Sequence, residues 1–163
     1  MRLTFWTGFW VFMADQASKY IVVQWLDLIN RLQIDVLPPV LTFRMAWNRG
    51  VNFGIGSGFD MRWALIGIAV VIVGIVLYWI NREGGSKWTY ISAGLLVGGA
   101  LGNVVDRLIY GAVADFLNMS CCGFENPYAF NVADIAVFAG AIGLVIFTGT
   151  SKTKPKPRDP KTS

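Results

Sequence analysis

The 163-residue sequence contains no histidine. That excludes Ser-His-Asp and Cys-His catalytic sites and every metal site built on imidazole. Charge is scarce as well: 15% of residues are Asp, Glu, Lys or Arg, against roughly 25% in a soluble globular domain. Cysteine is confined to the neighbours Cys121 and Cys122. Metal sites use wider ligand spacing and a bridge between adjacent cysteines is strained, so this pair reads as structural or incidental. There is no inverted internal repeat of the kind common in transporters. The first apolar run is not a cleavable leader, being too long for a signal-peptide core, bearing Asp15 and Lys19, and lacking a small-x-small cleavage pattern. Apolar residues, by contrast, are abundant: 55% are hydrophobic, with seven Trp and eleven Phe. One soluble core of this length cannot hide so much apolar surface, so the expected solvent is a bilayer.

Four stretches are long and apolar enough to cross a membrane, about residues 3–26, 63–80, 88–109 and 130–147. The expected fold class is therefore an all-α integral membrane protein with four transmembrane helices. The Pro38-Pro39 turn precedes a β-prone run from Val40 to Trp47, resumed from Val51 to Ile55, which predicts a small extracytoplasmic β-rich segment within residues 27–61, between the first and second helices. Residues 1–150 form the membrane domain. Residues 151–163 form a basic tail, where Lys152, Lys154, Lys156, Arg158 and Lys161 alternate with prolines. Beside apolar spans such a tail reads as a cytoplasmic segment near anionic lipid rather than a nucleic-acid contact. Arg2, Arg82, Lys87 and the five tail cations lie on one side against Arg31, Arg44, Arg49 and Arg62 on the other, and the connection from Tyr110 to Ala129 has no Lys or Arg. The positive-inside rule places both termini in the cytoplasm.

With that orientation the polar residues of the spans gather toward the outer leaflet. Asp15 and Lys19, four apart on a helix, read first as an intrahelical pair that neutralises itself. Asn103, Asp106 and Arg107 share a face at i, i+3 and i+4, a stripe that serves structure or substrate equally well by spacing. Gly94, Gly98 and Gly102 mark a face for close helix packing. Asp115 and Asp134 have no cation within four residues and lie between apolar neighbours where a span meets the interface. Two carboxyls brought together in a half-dry place share a proton, one acting as base on water and the other as acid on a carbonyl oxygen. Spacing alone leaves three readings open for them: a catalytic pair, an ion pathway, or plain helix-end carboxylates.

Five motifs, in order, resemble lipoprotein signal peptidase, the signal peptidase II family. They are Asp15-Gln16-Ala17-Ser18-Lys19, Asn48-Arg49-Gly50-Val51-Asn52-Phe53-Gly54, Gly102-Asn103-Val104-Val105-Asp106-Arg107, Gly111-Ala112-Val113-Ala114-Asp115-Phe116 and Phe130-Asn131-Val132-Ala133-Asp134. The resemblance spans nearly the whole chain. It implies that Asp115 and Asp134 are the catalytic dyad, that Asn48, Gly50, Asn103, Arg107 and Asn131 line the substrate site, and that Asp15, Lys19 and Asp106 support it. It further implies a multi-pass protein of the bacterial inner membrane, working toward the outer leaflet without metal or other cofactor. Its partners would be membrane lipid and prolipoproteins carrying a diacylglyceryl group, cut just before the lipidated cysteine, and the enzyme is expected as a monomer with no nucleic-acid partner. Val51 and Asn52 replace the usual two alanines, and Ala114 the usual valine. The runner-up is a small proton or cation translocator using Asp15, Asp106, Asp115 and Asp134 as a relay. A third reading is a non-enzymatic lipid-binding or assembly subunit.

Overall fold

Proline decides where the helices can run. Pro38, Pro39 and Pro127 fall in connections and the other three in the 151–163 tail, so no apolar run carries the residue that would break it. The computed structural model describes residues 1–50, 61–121, 123 and 126–148; the Val51 to Ile55 run, Cys122 and the basic tail lie outside these. Helix α1 spans Arg2–Lys19 and continues as a π-helical turn, Tyr20–Trp25; a short α2, Leu28–Arg31, follows. Strands β1 (Gln33–Leu37) and β2 (Leu41–Asn48) come next, then helices α3 (Met61–Glu83) and α4 (Lys87–Tyr110), strand β3 (Val113–Met119) and helix α5 (Val132–Thr148). The four apolar stretches thus become helices displaced by a few residues from their expected ends. By length and composition α3 and α4 are able to cross a membrane, and α5 is a shorter apolar helix.

Helix α4 is the hub. Ser86 opens it with a reciprocal cap, its hydroxyl accepting from Thr89 N at 3.2 Å while Thr89 Oγ1 accepts from Ser86 N at 3.2 Å. Gly111, in the left-handed region at φ 73°, closes it and turns the chain directly into β3. The glycine stripe does what its spacing predicts. A Cβ at Gly94 would stand 2.7 Å from Thr4 O, one at Gly98 2.9 Å from Gly8 Cα, and one at Gly102 2.5 Å from Asp15 Oδ2. Gly140 on α5 makes the matching approach to Ser92 O, where a Cβ would lie at 2.6 Å. These contacts bring α1 and α5 within backbone distance of α4. Helix α3, apolar all round, buries only Ile80.

The three strands form an antiparallel sheet in the order β1-β2-β3. Strand β2 was expected within residues 27–61, and it has two partners. One is β1, upstream of the Pro38-Pro39 turn, and the other is β3, far along the chain between α4 and α5. In register, Ala46 faces Asp115, Trp47 faces Ala114 and Asn48 faces Val113. Val22, Val23, Leu28, Ala114 and Phe116 make a small core with Phe43, Met45 and Val132 packed on it. Phe43 meets Phe116 edge to face at 5.8 Å. This cluster seats the sheet on the helix ends and so delivers β3, with Asp115, to the start of α5.

Candidate active site

Helix α5 begins with a reciprocal cap in which both partners are candidate site residues. Asn131 Oδ1 accepts from Asp134 N at 2.9 Å, and Asp134 Oδ2 accepts from Asn131 N at 3.2 Å. The cap pins Asp134 in the first helical turn, where backbone N–H groups and the helix dipole favour negative charge. Asn131, fully buried, also reaches the other acid: its Nδ2 donates to Asp115 Oδ1 at 2.6 Å. The second oxygen of Asp115 accepts from Asn48 Nδ2 at 3.1 Å, and Asp134 Oδ1 accepts from Asn103 Nδ2 at 2.8 Å. Every oxygen of the two carboxyls therefore receives an amide donor, and one asparagine touches both acids.

The carboxyls sense each other. Burial pushes Asp115 from 3.8 up to about 6, the charge of Asp134 adds to the rise, and the bonds from Asn48 and Asn131 and the charge of Lys19 oppose it. A carboxyl poised in this way holds or yields a proton near neutral pH, as general acid-base work requires. Arg107 donates to Asn103 O at 3.3 Å and acts electrostatically on Asp134, Asp115 and Asp106. Gly50 contributes through its backbone: its N–H donates to Asn48 Oδ1 at 3.0 Å, and its φ of 88° is open to glycine far more readily than to other residues. A Cβ there would also stand 2.6 Å from Leu65 Cδ1. Asn48, Asn103, Asn131, Asp115 and Asp134 thus converge, with Gly50 and Arg107 attached through Asn48 and Asn103.

Beneath them lies a second buried layer. Lys19 Nζ stands 2.7 Å from Asp15 Oδ2, as the four-residue spacing predicts, but also 2.8 Å from Asp106 Oδ2 on α4. The intrahelical pair is present, and its lysine is shared with a second carboxylate because close packing on the glycine stripe brings Asp106 within reach. Lys19 also approaches Asn103 Oδ1 at 3.4 Å. Gln16 was not singled out from the sequence, yet its Nε2 donates to Asp15 Oδ2 and Asp106 Oδ1, both at 3.1 Å. Its spacing of three from Lys19 was the available signal. Cys121 is exposed and disulfide-bonded. Among the described residues no group of three or more His, Cys, Asp or Glu is placed to hold a metal ion.

Residues 8–149 match the family described as Signal peptidase (SPase) II. A lipoprotein signal peptidase of Methylobacterium sp. (strain 4-46) is 40% identical over 142 residues, covering 86% of this chain and 84% of that protein. Another, from Methylorubrum extorquens (strain PA1), is 40% identical over 150 residues, covering 91% and 84%. Among solved structures, a bacterial membrane enzyme determined by the in meso method at 1.9 Å resolution superposes with a TM-score of 0.78 at 26% identity, covering 94% of this chain and 96% of that one.

Proposed function

The chain belongs to the signal peptidase II family and is a membrane protease of lipoprotein processing; from that premise we propose that it is an intramembrane aspartyl endopeptidase acting through Asp115 and Asp134. It removes signal peptides from prolipoproteins, cutting just before the diacylglyceryl-modified cysteine. The observation that supports this most is the joining of two electrostatically coupled carboxyls by a single buried asparagine.

In the proposed cycle Asp134 is the ionised member, at a helix start that favours its charge. It takes a proton from water as the water oxygen bonds to the scissile carbonyl carbon. Asp115, whose carboxyl is held up by burial, gives its proton to the carbonyl oxygen. The tetrahedral adduct then collapses: the C–N bond breaks, the cysteine nitrogen takes a proton from Asp134 as the adduct's hydroxyl returns one to Asp115, and the signal peptide leaves with a new carboxyl terminus. Asn48, Asn103, Arg107 and Asn131 line the substrate path around these acids, and Gly50 shapes its rim. Four helices, α1, α3, α4 and α5, cross the bacterial inner membrane with both termini in the cytoplasm, so the acids face the outer leaflet. There the substrate's acyl chains stay in lipid while its scissile bond reaches the headgroup zone. The working unit is a monomer.

The test is to offer the purified chain one prolipoprotein in two forms, with and without the diacylglyceryl group, and to weigh the products. The lipidated form should yield one cut before the modified cysteine and the other form little or none. Equal cleavage of both, or a cut elsewhere, would contradict the proposed substrate.

A further inference from the structure

Each proposed catalytic aspartate is preceded by an alanine, and both alanines make the same unusual bond. Ala114 N donates to the side chain of Asp106 at 3.2 Å, and Ala133 N donates to the side chain of Asp15 at 2.9 Å. The two acceptors belong to different helices, α4 and α1, and two side chains of α1 bridge them. Lys19 Nζ lies 2.7 Å from Asp15 and 2.8 Å from Asp106, and Gln16 Nε2 donates to both at 3.1 Å. A continuous path therefore runs from the backbone before Asp115, through Asp106, then Lys19 and Gln16, then Asp15, to the backbone before Asp134. Asp15, Asp106 and Lys19 are at most 6% exposed, where salt and water screen little.

We infer that Lys19 and Gln16 are positioning residues, a tie that sets the separation of Asp115 and Asp134 through the backbone that precedes each acid. The inference deepens the peptidase reading and rests on it. Backbone bonds between Leu117 and Phe130 at 2.8 and 3.0 Å also join β3 to the chain entering α5. Asn131 adds a side-chain link between the same two elements, donating to Asp115 Oδ1 at 2.6 Å while it caps Asp134. The tie adds an anchor at the backbone immediately before each acid, and together these anchors fix both the distance and the tilt of the pair. A plain structural ion pair joining α1 to α4 needs only Lys19 and Asp106. It gives no reason for Asp15 to accept from Ala133, for Asp106 to accept from Ala114, or for a glutamine to duplicate the bridge. Misplacing a reacting group by about 1 Å lowers turnover by about 100-fold, and the tie acts on that scale.

The experiment measures kcat and KM of the full chain in detergent on a diacylglyceryl-modified prolipoprotein, well below the melting temperature of each variant. Lys19→Met should lower kcat by about 100-fold and leave KM within about twofold. Lys19→Arg, whose two-pronged guanidinium can span both carboxylates, should recover at least about tenfold of that loss. Gln16→Leu keeps both lysine pairs, should fold as the wild type does, and should lose about tenfold in kcat at unchanged KM. Wild-type kcat in folded Lys19→Met, or losses confined to KM or to melting temperature, would overturn the tie. If Lys19→Met does not fold, Gln16→Leu decides by the same criteria. A wild type that cleaves nothing would instead overturn the peptidase reading, and the tie with it.

Discussion

Replacing Asp115 by Asn keeps the side chain's shape and removes its charge, so it separates chemistry from folding. Burial and Asp134 raise this carboxyl from 3.8 to about 6, which at about 1.4 kcal/mol for each pH unit makes the ionised form oppose folding by about 3 kcal/mol. Because the native state holds the proton more tightly, this group's contribution to wild-type stability is greatest below pH 4. It falls as pH rises from about 4 to about 6 and changes no further from this group above that. The variant escapes that loss but presents an NH2 group to a donor, either Asn131 Nδ2 at 2.6 Å or Asn48 Nδ2 at 3.1 Å. Neither partner can simply turn over, since Asn131 Oδ1 is held by Asp134 N and Asn48 Oδ1 by Gly50 N. Opposed donors in a buried site cost about 1–3 kcal/mol. Asp115→Asn should therefore be about 1–3 kcal/mol less stable than wild type below pH 4 and close to it at pH 7, while its turnover falls by about 10²–10⁴. Unfolding of both proteins in the same detergent from pH 3.5 to 8 is the assay. A stability difference that stays flat across pH 4 to 6 would refute the reasoning.

Asn48→Ala removes an amide that opposes the rise of Asp115; the midpoint of the pH-rate limb assigned to Asp115 should move upward, read from kcat against pH. Gly98→Ala drives a methyl into the Gly8 backbone and should lower stability by about 1–3 kcal/mol. Gly67→Ala, where a Cβ meets nothing within 4 Å, should be neutral or stabilising by up to about 1 kcal/mol; thermal melting in detergent checks both.

The helices were legible because an apolar run long enough to cross a bilayer is a strong local signal, as with Met61–Glu83. The glycine stripe was legible because its period matches the helix. Strand β3 was not: Val113 to Phe116 are all buried, followed by the half-buried Leu117 and buried Asn118, so the strand lacks the alternation of a half-buried strand, and its bounds sit against a helix whose apolar pattern runs up to Tyr110. Strand β1 is mostly exposed and too short to stand out. In the site, the i, i+4 pair of Asp15 and Lys19 could be read from spacing. Its third member, Asp106, could not, because 87 residues of chain separate it from Lys19 and only the packing of α1 on α4 brings them together. The bonds from Ala114 N and Ala133 N involve backbone donors that every residue carries, so no side-chain pattern announces them. The convergence of Asp115 with Asp134 was suggested by their apolar neighbours and by motif order. Asn131, which joins them, could be placed beside Asp134 at the start of the fourth span, but its bond to Asp115 could not be read from the sequence.

The most direct test of the account is hydrolysis of a diacylglyceryl-modified prolipoprotein by the purified chain, with EDTA present and with Asp115→Asn and Asp134→Asn run beside it, each shown folded by its melting curve. The account predicts that wild-type cleavage survives the chelator and is lost by about 10²–10⁴ in both variants. Near-normal cleavage by either folded variant would contradict it.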